Sequence, residues 1–255
     1  MKTLIFINQK GGVGKTLSAQ TVGACLYRKG YKVLFVDLDP SGHLTKSSGI
    51  VPDETDPTLY EVLKGKATAI SAIRTAPGGY DILPTDIRQT GTEIELASAK
   101  NRDSLLKKAL EGVKRYYDYC IIDSPPSLSI ITLMGLTTAT GVIITAKCDY
   151  LSLDGMAQLL ETINAVKQKL NRSLSITGVL LTFYDGRANL SKDVEAAAAE
   201  GLPGKVFDTK IGRSIALAEA PANHRDIYDY KPKAKAKKVI AEYEALTDEI
   251  IARTQ

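Results

Sequence analysis

A glycine-rich loop near the N-terminus constrains this chain more than any other feature. In one-letter code it reads QKGGVGKT over residues 9–16, directly after a strand-like apolar run and at the start of a helical pattern. Glycines allow backbone N–H groups to close around phosphate oxygens, and the N-terminus of the following helix favours that negative charge. The pattern is much more specific than an isolated G-x-G-x-x-G, so it predicts a phosphate-binding loop rather than a structural glycine turn.

The side chains of the loop indicate a nucleotide site of unusual form. Lys15 would reach the β- and γ-phosphates, and the hydroxyl of Thr16 would ligate Mg²⁺. The strict pattern GxxxxGK[ST] requires glycine at position 9, where this chain has Gln9. It carries instead an additional lysine, Lys10, inside the loop. The sequence therefore predicts a variant phosphate loop.

Short β-rich runs alternate with longer helical patterns along the 255 residues, which is typical of βαβ units and a mostly parallel sheet. We predict an α/β fold with a twisted, mostly parallel sheet, helices on both faces, and one domain over residues 1–255. Strands are expected at residues 4–7, 33–36, 119–122, 142–146 and 179–182. Helices are expected at residues 16–29, 102–116, 154–170, 193–200 and 237–252.

Composition excludes several classes of protein. Apolar residues make up 44% and charged residues 24%, which is typical of a soluble globular protein. No run of about 18 apolar residues could span a membrane, and no signal-peptide cleavage site follows the N-terminus, so we expect a cytoplasmic protein without a membrane partner. The three cysteines (Cys25, Cys120 and Cys148) are scattered through apolar stretches and are expected to be small buried hydrophobic residues, which argues against a disulfide, zinc or iron–sulfur site.

The positive charge is unevenly distributed. The net charge is +4, and residues 205–238 contain nine basic and four acidic residues, a local net charge of +5. Such a segment suggests an anionic partner. A solvated basic face explains the same charge equally well.

Two carboxylates complete the expected phosphate site. Asp39 and Asp123 each follow an apolar strand, which places them at the carboxyl edge of the sheet, where ligands bind in open α/β folds. A carboxylate there can hold Mg²⁺ through waters or orient the attacking water for phosphoryl transfer. A lone Asp at a strand end is more often a helix N-cap, but the phosphate loop upstream favours the ligand role. Asp37 is a weaker candidate that would support the loop.

Several segments together resemble one known family. The sequence KGGVGKT after a strand resembles the deviant Walker A box of the ParA/MinD family of P-loop ATPases. Residues 36–40 (VDLDP) resemble its switch I, and residues 121–127 (IIDSPPS) its Walker B and switch II. Residues 217–221 (LAEAP) and 228–230 (YDY) are similar to the ParA/Soj branch that partitions chromosomes and plasmids. The resemblance extends roughly from residue 4 to residue 251.

The resemblance implies a P-loop NTPase-like fold and an ATPase with weak intrinsic activity that uses ATP and Mg²⁺. It implies that Lys10, Lys15 and Asp39 are catalytic, with Lys10 reaching the nucleotide of a partner subunit and Asp39 activating water. It implies metal contacts from Thr16, Asp39 and Asp123. The implied ATP contacts are Lys10, Gly11, Gly12, Val13, Gly14, Lys15, Thr16 and Leu17.

The family couples one ATP switch to different outputs, so the output has to be argued from surface residues. A membrane-bound MinD type would need a basic amphipathic tail, whereas the helix expected at 237–252 has an acidic outer face. An iron-protein type would need clustered cysteines. Arg187 matches a DNA-contact position of the Soj branch, and the other expected contacts are Arg213, Lys231, Lys233 and Lys235. Ala216 stands where that branch often has a further arginine.

The interpretation is therefore a DNA-partitioning ATPase that associates with the nucleoid. An ATP-bound homodimer would bind nonspecific DNA through phosphate contacts, without reading sequence. A ParB-like centromere-binding protein would stimulate hydrolysis and release. The alternative is a ParA-like ATPase that positions a non-DNA cargo such as a protein cluster. The chain also departs from the family at Leu17, which stands where a second threonine is usual, and at Ser41-Gly42-His43, which stands where Gln-Gly-Asn is common. The second departure is expected to alter switch I and the rate of hydrolysis.

Overall fold

One mostly parallel sheet organises the protein. The computed structural model describes residues 1–96, 99–149, 155–230 and 233–255. Within them an eight-stranded sheet has the order β3-β4-β2-β5-β1-β6-β7-β8, and every neighbouring pair is parallel except β3 and β4. The strands are β1 (Lys2–Ile7), β2 (Val33–Asp37), β3 (Arg74–Thr75), β4 (Asp81–Leu83), β5 (Tyr119–Asp123), β6 (Gly141–Lys147), β7 (Ser175–Tyr184) and β8 (Ile211–Gly212).

Helices cover both faces of this sheet, which confirms the predicted α/β fold. They are α1 (Lys15–Arg28), α2 (His43–Ser47), α3 (Leu59–Leu63), α4 (Ala69–Ala72), α5 (Thr92–Glu95), α6 (Leu105–Glu111), α7 (Ile130–Thr138), α8 (Met156–Lys169), α9 (Asn189–Gly201), α10 (Ile215–Ala222) and α11 (Lys233–Thr254). Helices α1, α2, α10 and α11 contribute to the apolar cluster on one face. Helices α3, α4 and α6 to α9 contribute to the cluster on the other.

The central strands are apolar throughout because both of their faces are covered. In β1, Leu4 and Phe6 belong to one cluster, and Ile5 and Ile7 to the other. All four side chains are buried. Successive side chains of a strand point to opposite faces, so an uninterrupted apolar run is the pattern that a two-sided core requires.

The predicted strands are all present, each one to six residues longer than expected. The helix predicted at 102–116 is wrong as a single element. The structure has a 3₁₀ turn at Arg102–Ser104, then α6, then a second 3₁₀ turn at Lys114–Tyr116. Gly112 ends α6, and glycine is a poor helix former because it loses more backbone entropy than other residues.

The remaining predicted helices differ only at their ends. Helix α11 begins at Lys233 rather than 237, and α9 begins at Asn189 rather than 193. The start predicted at residue 154 lies outside the described residues. No helix in the described part of the chain is both long and apolar enough to cross a bilayer.

The cysteines are shielded from solvent to different degrees. Cys25 and Cys120 are buried as predicted, whereas Cys148 is only half-buried. Burial raises the pKa of the Cys120 thiol to about 12 and that of Cys148 to about 11. Both groups therefore remain protonated, and poorly nucleophilic, near neutral pH.

Helix α1 lies unusually close to the sheet at one glycine. A Cβ atom added at Gly23 would overlap the ring of Phe35 in β2, which is fully buried. The close approach holds α1 against one face of the sheet, and with it the loop that precedes α1.

We expect Gly23→Ala to destabilise the protein by about 1–3 kcal/mol, because the Phe35 ring has no free space into which to move. Urea unfolding followed by circular dichroism measures this change. Gly201→Ala is the matched control, since Gly201 is also a helical residue, the last of α9, and an added Cβ there would meet nothing within 4 Å. Equal stability of the two variants would contradict the close packing of α1.

Candidate functional site

The glycine-rich loop lies between β1 and α1, at the carboxyl edge in the middle of the sheet. Gly12 and Gly14 have φ values of 71° and 84°, in the left-handed region that favours glycine. Gly14 is the N-cap of α1, and Lys15 is its first residue. A Cβ added at Gly11 or Gly12 would meet nothing within 4 Å. The loop therefore presents its backbone to open space, as a phosphate cradle requires.

A cavity of about 650 Å³ opens beside this loop. Its volume is in the range of pockets that hold small ligands. Six of the predicted ATP contacts line it, together with Asp39. The full lining is Gly11, Gly12, Gly14, Lys15, Thr16, Leu17, Asp39, His43, Lys46, Ser47, Pro126, Phe183, Pro221 and Ala222.

Two predicted contacts, Lys10 and Val13, are not part of this lining. The Val13 side chain is buried, and its carbonyl accepts a hydrogen bond from Thr182 Oγ1 at 2.9 Å. The Lys10 ammonium lies 2.7 Å from Asp149 Oδ1, with about a third of each side chain exposed. The backbone N–H of Lys10 donates to Asn8 Oδ1 at 2.9 Å. Within one chain, therefore, Lys10 has a carboxylate partner beside the cavity.

Lys15 brings a buried positive charge to the cavity. Only 7% of this residue is exposed, and its ammonium donates to the Lys10 carbonyl at 3.2 Å. Burial lowers the pKa of Lys15, while the nearby carboxylates of Asp123 and Asp39 act in the opposite direction. Those carboxylates favour the charged form that a phosphate would bind.

Thr16 and Asp123 form a direct pair below the loop. The Thr16 hydroxyl donates to Asp123 Oδ2 at 2.6 Å, and Asp123 is fully buried. Burial, followed by the neighbouring Asp37, raises the pKa of Asp123 well above its usual range. Among the described residues, nothing donates to Asp123 Oδ1. A buried carboxylate oxygen without a donor, next to a threonine hydroxyl, fits the oxygen ligands that Mg²⁺ prefers.

Asp37 stabilises the backbone beside the cavity. It is the register partner of Asp123 on the neighbouring strand and is fully buried. Its Oδ2 accepts from the backbone N–H and the hydroxyl of Thr45 at 2.8 and 2.7 Å, and its Oδ1 accepts from the Asp39 N–H at 3.2 Å. Burial raises the pKa of Asp37 to about 7. Asp37 thus fixes the backbone that carries Asp39.

Asp39 is half-buried and lines the cavity itself. One of its oxygens, Oδ1, accepts from the Ser41 N–H at 2.9 Å. Because this bond and the Asp37 contact hold the turn after β2, Asp39 is held at the cavity that the glycine loop also lines.

The predicted basic residues fall on another part of the same sheet edge. Arg187 is exposed in the turn after β7, and Arg213 is exposed directly after β8. The two strands are parallel, with Tyr184 opposite Gly212, so both arginines leave the sheet at one edge. Arg213 shares a depression of about 340 Å³ with Lys235.

The side chains of two other predicted DNA contacts, Lys231 and Lys233, lie outside the described part of the structure. Lys231 lies outside the described residues. Lys233 is the first residue of α11, and the position of its side chain is not described. The structure therefore brings Arg213 and Lys235 together and places Arg187 at their edge of the sheet.

Several residues of the cavity were missed from the sequence. Phe183 has a φ of 53°, a left-handed conformation that no sequence pattern indicates. It does follow a predicted strand directly, as Asp123 does, and that position could have indicated it. The others are His43, Lys46, Ser47, Pro126, Pro221 and Ala222.

Comparison with known proteins places these features in a family. Residues 1–176 match the model of a family described as an AAA domain. The chain is 41% identical to the sporulation initiation inhibitor protein Soj of Bacillus subtilis, over 93% of this chain and 94% of that protein. It is also 41% identical to the chromosome-partitioning ATPase Soj of Treponema pallidum, over 99% and 98% of the two chains.

A solved structure shows the same fold. Cobyrinic acid a,c-diamide synthase of Mycobacterium smegmatis, with a bound ATP analogue and magnesium, superposes with a TM-score of 0.85 at 35% identity. The match covers 97% of this chain and 93% of that one. The predicted P-loop NTPase-like fold is thereby confirmed. With a variant phosphate loop, carboxylates at the adjacent strand ends and full-length similarity to two Soj proteins, the chain belongs to the ParA/Soj family of partitioning ATPases.

Proposed function

We propose that this chain is a partitioning ATPase, formed by a single domain over residues 1–255, whose ATP-bound homodimer binds nonspecific DNA. A ParB-like protein would stimulate hydrolysis and release. The ATPase part of the proposal rests on one observation. The glycine loop, Thr16 and Asp39 line the same cavity, and Thr16 is hydrogen-bonded to Asp123. The naming of the Soj relatives supports the partitioning part.

The residues of the cavity have distinct roles in this proposal. The amides of the glycine loop and the Lys15 ammonium bind the phosphates. Thr16, Asp39 and Asp123 would hold Mg²⁺ directly or through waters, and the ion would supply positive charge to offset that of the phosphates. Asp39 would orient the attacking water.

Lys10 belongs to the dimer in this proposal. In one chain its ammonium binds the carboxylate of Asp149. To reach the nucleotide of a partner subunit, Lys10 would exchange this carboxylate for a phosphate. The described lining of the cavity contains lysines but no arginine, which supports slow unaided turnover. ATP hydrolysis would then be the step that a partner protein accelerates.

DNA binding would use the basic edge of the sheet. Arg187, Arg213 and Lys235 are exposed there, and Lys231 and Lys233 would extend the surface. Such side chains neutralise phosphates and read no bases, so affinity would depend on salt rather than on sequence. A dimer would present two such surfaces, which is why the ATP state would bind DNA more tightly than a monomer.

For nucleotide binding, we expect Lys15→Ala to abolish ATP-dependent dimerisation and hydrolysis while leaving the fold intact, because it removes the charge for the β- and γ-phosphates. Isothermal titration calorimetry measures the affinity for ATP. Lys107→Ala is the matched control, since Lys107 is exposed near Met1 at the opposite edge of the sheet. Unchanged ATP affinity in the folded Lys15→Ala protein would overturn this role.

For the switch, we expect Asp39→Ala to bind ATP, hydrolyse it slowly and accumulate as a dimer. Lys10→Ala should instead weaken the dimer, because its target is in the other subunit. Size-exclusion chromatography with light scattering, in ADP and in ATP, separates the two outcomes. Hydrolysis by Asp39→Ala at the wild-type rate with the partner protein present would show that the assignment is wrong.

For DNA, we expect Arg187→Ala, and separately Arg213→Ala with Lys235→Ala, to weaken binding similarly across unrelated DNA sequences. Each lost phosphate contact should reduce the slope of log affinity against log salt by about 0.9. Filter binding of the ATP-loaded proteins across a salt series provides the slopes, with Lys107→Ala as control. Slopes equal to the wild type would indicate a solvated basic face.

A further inference from the structure

Two basic side chains on α2 face the nucleotide cavity and have no role in the site described above. His43 and Lys46 both line the cavity together with the glycine loop. We propose that His43 and Lys46 bind the terminal phosphate of a nucleoside triphosphate and so set a preference for triphosphate over diphosphate. The inference rests on the proposed nucleotide-binding function and adds a second group of phosphate ligands to it.

The topology of the sheet places α2 across from the glycine loop. The loop follows β1 and α2 follows β2, and β5 lies between these strands. Adjacent strands are about 4.8 Å apart, so the two segments flank the end of β5 at a separation of about 10 Å. Asp123 ends β5 between them. A phosphate chain that starts in the loop and extends past Asp39 therefore ends at α2.

The two side chains carry donors suited to phosphate oxygens. The Lys46 ammonium donates to the Ser41 carbonyl at 2.7 Å, and in the described part of the chain no carboxylate forms an ion pair with it. The His43 Nδ1 atom lies 2.9 Å from Ser41 Oγ, which leaves Nε2 as the second nitrogen of the ring. Residues three apart lie on one face of a helix. Binding a phosphate here would not require breaking a salt bridge.

The backbone of α2 is held in place while these side chains remain exposed. Thr45, between them, is buried and bonded to Asp37, and its hydroxyl accepts from the Thr85 N–H at 3.1 Å. The Lys46 carbonyl lies 2.8 Å from His224 Nδ1. Because the helix is anchored at these points, phosphate binding would order only the two side chains, which limits its entropic cost.

The consequence is a difference between nucleotides. A diphosphate held by the loop and Lys15 stops short of α2, whereas the third phosphate of a triphosphate reaches it. Charge-assisted hydrogen bonds to phosphate are stronger than neutral ones, so their loss should be measurable for the triphosphate alone.

Calorimetric titration with a nonhydrolysable ATP analogue and with ADP, both with Mg²⁺, tests the inference. We expect Lys46→Met to weaken binding of the analogue about tenfold, as for the loss of one charge-assisted hydrogen bond, and to change ADP binding by less than about twofold. His43→Asn should act in the same direction, and Lys46→Arg should keep the preference. Lys107→Met controls for the loss of a surface charge.

The outcomes separate this inference from the proposed function. Equal weakening for both nucleotides, or analogue binding unchanged in the His43→Asn/Lys46→Met double variant, would overturn the role of α2 alone. A wild-type protein that bound neither nucleotide would overturn the proposed function itself. The Lys15→Ala protein provides the reference in which both affinities are lost.

Discussion

The burial of two carboxylates at the end of adjacent parallel strands is the constraint on which the site depends. Asp37 and Asp123 are register partners with no exposed surface, and a buried charge is costly unless it is paired. Thr45 satisfies one carboxylate and Thr16 the other, while Lys15 brings a positive charge to the same place. The turn after β2 and the start of α1 are therefore fixed by the same pair of acids that leaves an oxygen available for a metal ion.

Local pattern predicts the parts of this arrangement that lie close together in sequence. The uninterrupted apolar run of β1, the loop that follows it and the strand-end position of Asp123 could all be read from neighbouring residues. Contacts between distant segments could not. The ion pair of Lys10 joins residues 139 positions apart, and strands as short as the two residues of β8 have no detectable period.

The net charge of the basic segment, residues 205–238, overstates the positive charge that its surface can offer to a partner. Residues 205–238 carry a net charge of +5, but some of these cations are already paired within the chain. Lys210 lies 2.6 Å from Glu195, and Lys238 lies 3.7 Å from Glu242. The first pair is half-buried and Lys238 of the second is exposed, and both pairs reduce the positive charge available to a polyanion. The register of β7 and β8 adds a cation from outside this segment, because it brings Arg187 to the edge that carries Arg213.

Helix α10 connects the two parts of the molecule that this function would have to couple. Its first residues, with Arg213 just before them, line the depression shared with Lys235, while Pro221 and Ala222 at its end line the nucleotide cavity. Eight helical residues span about 12 Å, so one short rigid element reaches from one site to the other. Contacts between α10 and α2 add the segment that carries Asp39 and Lys46 to the same unit. The nucleotide cavity and the basic depression are therefore connected by one packed helix rather than by a loop.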